Sequence, residues 1–330
     1  MIGSELDWQP RDKCYLCGAS GEVLYTGLTD RLFGVSGTWS LRKCSHTECG
    51  LAWIDPFPGL EAIPDLYKNY YTHESGSSNE KKNQILTTFG RFVVRLLISL
   101  FKTITFSRPK LRSIDLMYLN ERKPGTVLDI GCGNGERLRR LKNIGWQVFG
   151  QDIDTTAAEL AYKKYGIKVF TQPVERLGIP DESFDAIIMN HVLEHLTDPV
   201  LVLGQCKRLL KPGGIFVAAT QNLESLSHRI FKSNWIGLDL PRHVMLYNRK
   251  SLKLLTERVG FSKFTSYATP VRTQGMAAVS FELTRNNTYS ISNKPGSKAE
   301  LVGFLVHVLS YIINIVKTDL GDELILIAEK

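Results

Sequence analysis

The run Val127-Leu-Asp-Ile-Gly-Cys-Gly-Asn-Gly135 constrains the fold of this 330-residue chain more than any other feature. Its pattern is typical of a buried strand, a glycine-rich turn and a helix that starts near Glu136. Glycine lets the backbone approach a ligand closely, and the first turn of a helix has free N–H groups. The run therefore predicts an α/β unit with a nucleotide-binding turn.

Short β-rich runs alternate with helical runs from Thr126 onward, as in chains of βαβ units. The turn Lys211-Pro-Gly-Gly214 is expected to end a helix over Val200–Leu210 and to start the fifth strand. This order predicts an α/β fold. The predicted strands are Val127–Ile130, Gln147–Asp152, Lys168–Thr171, Phe184–Met189, Gly214–Thr220, Lys263–Ala268 and Glu323–Ala328.

Two details argue against a dinucleotide as the ligand of the glycine-rich turn. The NAD fingerprint is G-x-G-x-x-G, whereas Glu136 directly follows Gly135 here and the spacing is G-x-G-x-G. Asp129 also precedes the turn, where its carboxylate would repel a pyrophosphate. The same carboxylate suits the cationic amino-acid end of S-adenosylmethionine (SAM).

From Pro124 to Lys330 the chain resembles the class I SAM-dependent methyltransferases. The resemblance rests on Asp129-Ile-Gly-Cys-Gly-Asn-Gly135, Phe149-Gly-Gln-Asp-Ile153, Pro173-Val-Glu-Arg-Leu177, Phe184-Asp-Ala-Ile-Ile-Met-Asn190 and Arg208-Leu-Leu-Lys-Pro-Gly-Gly214. It implies a Rossmann-like sheet of seven strands, the last antiparallel, with helices on both faces. It also implies that Asp152 binds the ribose hydroxyls and that Ile153 and Val174 pack on the two faces of the adenine. The residues expected to bind SAM are Asp129, Gly131, Cys132, Gly133, Asn134, Gly135, Asp152, Ile153, Val174 and Asn190, the last near the methyl donor.

Four of the six cysteines lie within the first fifty residues, in the pairs Cys14/Cys17 and Cys44/Cys49. Thiolates at such short spacings suit a tetrahedral Zn²⁺ ion, and four protein ligands predict a structural ion with no open position for chemistry. His46 is an alternative ligand in place of Cys44 or Cys49. Reduced structural cysteines and two disulfides are the other interpretations.

The segment Cys49-Gly-Leu-Ala-Trp-Ile-Asp-Pro56, followed by Leu66-Tyr-Lys-Asn-Tyr-Tyr71, is similar to a module fused to bacterial methyltransferases of polysaccharide and sugar-tailoring clusters. This resemblance implies a sugar-like acceptor and a role in polysaccharide biosynthesis. The expected parts are a small zinc-ribbon-like module over 1–72, a linker with an amphipathic helical segment over 73–122, and a methyltransferase domain over 123–330 with acceptor-side insertions near 222–250 and 271–320.

Transfer of a methyl group to a hydroxyl requires a general base or a metal ion that takes up the proton. His243 lies in Leu238-Asp-Leu-Pro-Arg-His-Val-Met-Leu-Tyr247, which resembles the proline–arginine–histidine loop of the sugar-cluster methyltransferases, and is the favoured base. His191 and His195 are less favoured candidates. They are four residues apart and would share one face at the start of a helix. All three could instead orient loops or cap the helix.

The stretch His191-Val-Leu-Glu-His195 also permits two interpretations as a metal site. It matches the inverted zincin motif, but a metallopeptidase would carry that motif inside a long helix. It is also similar to the Glu-x-x-Glu-His stretch of ubiquinone-pathway O-methyltransferases, which can hold a divalent metal beside the acceptor. His191 occupies the first position here, which favours a different metal or none.

Two further segments are strongly apolar. Residues 91–102 predict an apolar helix with one narrow polar stripe, which suits either a lipid interface or packing inside the protein. Its polar positions are Arg91, Arg95, Ser99 and Lys102. Leu301–Val316 is short for a membrane span, and we expect a helix of the C-terminal insertion there, between the last two strands.

The net charge of +8 fits an anionic partner such as a nucleotide-linked or lipid-linked sugar, a membrane surface or RNA. RNA is the main rival acceptor, although Asn190-His-Val-Leu stands where base N-methyltransferases often carry Asn/Asp-Pro-Pro-Tyr/Phe. A non-catalytic SAM-binding scaffold is a further alternative. Residues 1–13 show no apolar signal segment, which predicts a cytoplasmic protein, peripheral to the inner membrane face if 91–102 binds lipid.

Overall fold

The computed structural model describes residues 8–67, 107–316 and 319–330. The strands in these residues are β1 (Trp8–Gln9), β2 (Gly21–Leu28), β3 (Trp39–Cys44), β4 (Ala52–Asp55), β5 (Phe57–Pro58), β6 (Thr126–Ile130), β7 (Gln147–Gln151), β8 (Val169–Phe170), β9 (Phe184–Asn190), β10 (Leu210–Gln221), β11 (Met245–Leu246), β12 (Lys263–Thr269) and β13 (Glu323–Glu329). The helices are α1 (Ile63–Leu66), α2 (Ser107–Asp115), α3 (Glu136–Lys142), α4 (Thr155–Tyr165), α5 (Pro199–Leu209), α6 (Leu226–Phe231), α7 (Arg249–Val259), α8 (Thr273–Asn286) and α9 (Ser297–Val316).

Seven strands form one mixed sheet in the spatial order β12-β13-β10-β9-β6-β7-β8. Each neighbouring pair from β10 to β8 is parallel, whereas β13 is antiparallel to both β10 and β12. This arrangement confirms the predicted seven-stranded α/β sheet with an antiparallel last strand.

Alternate residues of the central strands enter two separate hydrophobic clusters. Leu128 of β6 and Phe216 of β10 belong to one cluster, while their neighbours Val127 and Val217 belong to the other. Because successive side chains of a strand point to opposite faces, the sheet is covered on both sides. Burial on both faces explains why these strands are almost continuously apolar.

The fifth strand of the sheet, β10, differs from its prediction. It begins at Leu210, so the residues Lys211–Gly214 form part of the strand and are not a separate turn. The register with β9 shifts between Leu210 and Ile215. Gly213 has a φ of +74° within this irregular stretch, a conformation that costs glycine little.

The N-terminal segment 8–67 pairs and packs with later parts of the chain. A second sheet has the order β11-β4-β3-β2, in which Met245 of β11 pairs with Trp53 of β4. Trp53 and the cysteines Cys14 and Cys49 share a hydrophobic cluster with the core of the large sheet. The predicted module boundary at residue 72 and the predicted helix over 91–102 lie outside the described residues.

Both predicted insertions contain helices. The short helix α6 follows β10, and the pair α8 and α9 connects β12 to β13. The helix expected over Leu301–Val316 is longer than predicted, because α9 contains 20 residues. Helix α9 is long and apolar enough to cross a membrane, as are some core helices of soluble proteins.

Candidate active site

The carboxyl ends of β6, β7 and β9 and the turns that follow them form the donor edge, which consists of Asp129, the turn 131–135, Asp152, Ile153 and Asn190. In open α/β sheets, ligands bind at the carboxyl ends of the strands. The prediction from sequence placed all these residues at one site, and the sheet brings these strand ends together side by side.

The glycine-rich turn is held against the neighbouring strand and leaves room on its outer side. The N–H groups of Gly131 and Cys132 donate to the carbonyl oxygen of Gln151, at 2.7 and 3.1 Å. A Cβ at Gly131 would lie 2.3 Å from Val192 Cγ2, whereas a Cβ at Gly133 would meet no atom within 4 Å. Both glycines have positive φ, so a side chain at either position would strain the turn.

Asp129 is fully buried beneath this turn, and only one of its carboxylate oxygens has a partner. Oδ2 lies 3.5 Å from Arg137 Nη1, whereas Oδ1 is buried without a hydrogen-bond partner. Burial raises the pKa of Asp129 to about 6, against the opposing effect of Arg137. A buried carboxylate oxygen without a donor is costly, and the ammonium group of SAM is the kind of cation that would satisfy it.

Of the other polar residues of the donor edge, Asn190 has a side-chain oxygen without a partner, whereas Asp152 and Asn134 accept hydrogen bonds from backbone N–H groups. Asn190 has a buried Oδ1 without a hydrogen-bond partner, which leaves an acceptor available at the end of β9. Asp152 accepts hydrogen bonds from Gly133 N–H and Asp154 N–H, at 2.7 and 3.0 Å. These bonds fix the Asp152 carboxylate in the position predicted to bind ribose. Asn134 Oδ1 accepts from Glu136 N–H at 3.1 Å and so begins helix α3.

The predicted adenine contacts differ in exposure. Ile153 is 60% exposed, which is unusual for a large aliphatic side chain beside a nucleotide-type turn. Val174 is only 4% exposed and belongs to the hydrophobic core. Cys132 of the glycine-rich turn is also buried. Ile153 therefore offers an apolar face to a ligand, and the contact of adenine with Val174 stays a prediction.

The four N-terminal cysteines meet in space. Sγ of Cys14 lies 3.6 Å from Sγ of Cys49, and Sγ of Cys17 lies 3.4 Å from Sγ of Cys44. All four thiols are free, and their sulfur atoms lie within 4.8 Å of one another. Tetrahedral zinc with Zn–S bonds of about 2.3 Å would place its sulfurs about 3.8 Å apart. The spacing fits a zinc ion, and His46 contributes only its carbonyl oxygen to the turn around Cys49.

A histidine–carboxylate cluster begins at the residue after Asn190 and consists of His191, Glu194, His195, His243 and Glu323. The prediction that His191 and His195 share a helix face is wrong. His191 has a φ of +53°, and only a 3-10 turn, Leu193–His195, follows it. The left-handed conformation at His191 interrupts any helix, so the two histidines have different partners. The stretch is also not inside a long helix, as a metallopeptidase would require.

His191 is an ion-paired residue. Its Nδ1 lies 3.2 Å from Glu194 Oε1, and its Nε2 lies 2.8 Å from Glu323 Oε1. Burial lowers the pKa of His191, but the two carboxylates outweigh burial and raise it. Both ring nitrogens then carry protons and donate, so His191 is poorly suited to accept a proton from a substrate.

His243 has the opposite environment. Its Nδ1 lies 2.8 Å from the carbonyl oxygen of Gly237, which can only accept, so Nδ1 carries the proton in the neutral ring. Burial lowers the pKa of His243. Its Nε2 has a free lone pair in that tautomer and lies 3.9 Å from Glu194 Oε1, beyond hydrogen-bond distance.

His195 packs against His243, with ring centroids 4.8 Å apart. Its Nδ1 lies 3.0 Å from the Arg242 carbonyl oxygen and 2.9 Å from Tyr67 Oη. Burial and the neighbouring His243 lower the pKa of His195 to about 4. Ligand atoms of Glu194, His195 and His243 lie within 4.8 Å of one another, so these three side chains could hold a divalent cation.

Arg242 joins the cluster to the N-terminal residues and was given no role by the sequence. Its side chain is fully buried and makes two hydrogen bonds to Asp30, at 2.7 and 2.9 Å, and further bonds to Asp239. The Arg242–His243 segment also lies between β4 and the 3-10 turn, because Ile54 N–H donates to Val244 O and Val244 N–H donates to Glu194 O. The N-terminal module therefore positions the loop that carries His243.

Tyr67, Asp30 and Glu323 were likewise missed. Tyr67 lies in the tyrosine-rich segment that the sequence singled out, which was a usable signal. Asp30 lies 212 residues from Arg242 along the chain, and Glu323 lies 132 residues from His191. Only the fold brings these residues together. No spacing within a single motif could reveal such pairs.

Residues 105–265, just under half of the chain, match the family model described as "Methyltransferase domain". Over these residues the chain has a SAM-dependent methyltransferase domain. The match covers the whole donor edge and the loop of His243, and it confirms the resemblance drawn from the motifs.

Curated relatives match the same part of the chain. A "Ubiquinone biosynthesis O-methyltransferase" of Cereibacter sphaeroides is 32% identical over 123 residues, which cover 35% of this chain and 50% of the relative. The protein of the same name from Dinoroseobacter shibae is 36% identical over 135 residues, 39% of this chain and 54% of that one. The chain spans about half the length of these relatives. The names of these relatives refer to O-methylation and mention no sugar acceptor.

Solved structures are similar at low identity. A SAM-dependent methyltransferase from Archaeoglobus fulgidus is 21% identical, with a TM-score of 0.46, over 71% of this chain and 99% of that one. A phosphoethanolamine N-methyltransferase from Haemonchus contortus is 18% identical, with a TM-score of 0.45, over 66% of this chain and 52% of that one.

Proposed function

We propose that this chain transfers a methyl group from SAM to a hydroxyl group of a small acceptor, with a sugar or sugar-like hydroxyl as the first candidate. The observation that carries the proposal is the direct junction of the donor edge with the histidine–carboxylate cluster, since His191 follows Asn190 in the chain. The names of the relatives support transfer to oxygen.

The donor edge would hold SAM by complementary charge and shape. Asp129 Oδ1 would accept from the ammonium group, the Asp152 carboxylate would accept from the ribose hydroxyls, and Ile153 would pack on the adenine. Bound SAM supplies an electrophilic methyl group. The remaining task of the protein is to align the acceptor oxygen with that group and to remove its proton, and alignment alone can contribute about 7–11 kcal/mol.

His243 is the proposed general base. Gly237 holds its Nδ1–H, and burial keeps the ring neutral, so Nε2 can take the hydroxyl proton. Glu194 lies beside Nε2 and would stabilise the imidazolium that forms. The carboxylates of Glu194 and Glu323 favour the protonated form of His191, which would add positive charge to the site and hold the turn in place.

A divalent cation at Glu194, His195 and His243 is the second candidate arrangement. The Nδ1 atoms of both histidines face backbone carbonyls, which leaves their Nε2 atoms available as ligands, as is usual for metal-binding histidines. Such an ion would lower the pKa of an acceptor hydroxyl and replace the base. Methyl transfer that survives EDTA treatment would favour His243 as base, and transfer that Mg²⁺ or Zn²⁺ restores would favour the cation.

We also propose a structural zinc ion at Cys14, Cys17, Cys44 and Cys49. The expected content is one zinc ion per chain by atomic absorption. Cys49→Ser should remove it, and Cys206→Ser, a change at a buried cysteine of α5, should leave it in place. A zinc-free wild-type protein with intact thiols would contradict the proposal.

The experiment for the acceptor measures S-adenosylhomocysteine production with nucleotide sugars, lipid-linked sugars, catechols and total RNA as acceptors. Turnover with a sugar supports the proposal. Turnover with a catechol would support transfer to oxygen but would replace the sugar by a phenolic acceptor. Turnover with RNA alone would contradict the proposal of a small acceptor. Tight SAM binding with no turnover on any class would favour a scaffold.

A further inference from the structure

Helix α9 exposes a continuous aliphatic stripe. Its exposed large side chains recur at the spacing of one helix face, and no residue from 301 to 316 is charged. A surface helix of a soluble protein normally places polar residues on its outer side. The stripe consists of Leu301, Leu305, Leu309, Ile312, Ile315 and Val316, with exposed fractions of 42% to 90%.

The inner face of α9 combines small and polar residues with one larger aliphatic side chain, Val306. His307 and Ser310 are buried polar residues, and His307 Nδ1 lies 2.9 Å from the carbonyl oxygen of Pro270. Gly303 also faces inward, because a Cβ there would lie 2.3 Å from the carbonyl oxygen of Gln274 in α8. Polar and small residues inside, with leucines outside, are typical of helices whose outer side meets lipid.

The connections of α9 keep it along the protein surface. The chain leaves the sheet at Thr269 and returns at Glu323, and these two residues are paired across β12 and β13. The far end of the α8–α9 pair is held by Arg31, whose carbonyl oxygen accepts from Tyr289 N–H at 3.0 Å and whose side chain donates to the Asn287 carbonyl. A helix held in this way is placed to lie on a bilayer, and not to cross it.

Three cationic residues lie near the start of α9, where the first turn of the helix also contains the acidic Glu300. Lys298 lies on the same face of the helix as Leu301 and Leu305, and Lys294 precedes the helix. Both lysines and Arg285 of α8 are exposed, and none of the three forms an ion pair within the described residues. Anionic lipid headgroups are the complementary partners of such cations, while long lysine side chains can reach them from an apolar surface.

We propose that the stripe on α9 docks on the surface of an anionic lipid bilayer. The stripe contains only leucine, isoleucine and valine, and offers no aromatic side chain or hydrogen-bond donor of the kind that is enriched in protein interfaces. The acyl chains of a lipid bilayer pack on aliphatic side chains without such groups. The stripe and its cations lie entirely within the described residues, so the proposal does not depend on segment 91–102 or on the proposed acceptor.

The test is co-sedimentation of the full chain with two kinds of vesicle, phosphatidylcholine mixed with phosphatidylglycerol and phosphatidylcholine alone. We expect binding to the mixed vesicles. Leu305→Glu should weaken that binding about tenfold or more, because it places a charge where a leucine would be buried. The matched control Leu201→Glu changes a leucine of α5 that is 49% exposed and should bind as the wild type does.

Unfolding temperatures and SAM titrations of both variants show whether each is folded. Lys294→Gln together with Lys298→Gln should remove the preference for phosphatidylglycerol. Absence of binding by the wild type, or equal binding by Leu305→Glu and the wild type, would overturn the proposal. A stable dimer in sedimentation velocity that Leu305→Glu dissociates, without vesicle binding, would overturn it in favour of a second copy of the chain.

Discussion

The donor edge and the histidine–carboxylate cluster adjoin each other, yet they are built in different ways. The donor edge comes from one stretch of the chain, from Asp129 to Asn190, and its residues lie at or just after the carboxyl ends of parallel strands. The cluster comes from the turn after β9, the loop of His243 and the start of β13, and Asp30 and Tyr67 contact these segments from the N-terminal part of the chain. One site is thus local in sequence, and the other is assembled by the fold.

The two sites also differ in how many of their buried polar atoms have hydrogen-bond partners. The donor edge leaves Asp129 Oδ1 and Asn190 Oδ1 without partners. In the cluster, both nitrogens of His191 and both carboxylate oxygens of Glu194 have partners, whereas Glu323 Oε2 is buried without a hydrogen-bond partner. Unpartnered buried oxygens indicate a site that expects a ligand. The satisfied groups around His191 and Glu194 indicate a preorganised part of the site that changes little when the ligand arrives.

The largest effect is expected for Asp129→Ala, which should abolish measurable SAM binding. The variant removes the buried acceptor for the ammonium group. Because the ligand-free protein keeps this carboxylate buried at a raised pKa, its removal should not lower the unfolding temperature. The control is Asp185→Asn, a change at the other end of the sheet, where the carboxylate binds Thr126 N–H. Calorimetric titration measures both, and normal SAM affinity in Asp129→Ala would refute the donor assignment.

His243→Ala tests the other site. Turnover on the acceptor found in the screen should fall by roughly 10²–10⁴-fold, the usual contribution of a general base, while SAM affinity stays the same. His191→Gln is the matched variant, because it keeps hydrogen-bonding groups at a histidine that we do not expect to act as base. Unchanged turnover of His243→Ala in steady-state assays would exclude His243 as the base.

Asp30→Ala should destabilise the fold by about 3–5 kcal/mol, because it leaves the fully buried Arg242 with only Asp239 as a carboxylate partner. Asp319→Ala breaks the ion pair with Arg249, in which both side chains are about two-fifths exposed, and should cost less than about 1 kcal/mol. Urea unfolding measures the difference. Equal stabilities of the two variants would show that the N-terminal module does not hold the His243 loop.

The smallest effect is a pH dependence at the donor edge. The pKa of Asp129 is raised by burial to about 6, so its ionisation costs the ligand-free fold stability, and this cost develops as pH rises from about 4 to about 6. SAM binding relieves that cost, so SAM affinity should weaken several-fold as pH falls through about 6.

Thermal unfolding of the ligand-free protein checks the same group. Over that pH window the wild type should lose stability relative to Asp129→Asn, which has no charge to bury. Parallel stability curves for the two proteins would mean that Asp129 keeps an ordinary pKa.

The sequence predicted the donor edge because every part of it is a local signal. The glycine spacing, the polar residue near the end of each of these strands and the alternation of strands and helices are all local patterns of a few residues. The bulge of β10 escaped prediction because Lys-Pro-Gly-Gly is a turn signal by composition, and only pairing with β9 and β13 keeps it in the sheet.

Only the histidines of the cluster could be predicted from the sequence. Glu323 and Asp30 look like ordinary acidic residues, and their roles come from strand order and from the pairing of β4 with β11. The helical interpretation of His191–His195 failed for a local reason, since a left-handed residue directly after a strand cannot be seen in i, i+4 spacing. The exposed stripe of α9 was likewise hidden, because composition does not show which face of a helix is buried.

Calorimetric titration of the purified protein with SAM, and separately with NAD, tests the central claim most directly. We expect micromolar SAM binding at one site per chain and no binding of NAD. Binding of NAD, or no SAM binding by a folded chain, would contradict the assignment of the donor edge.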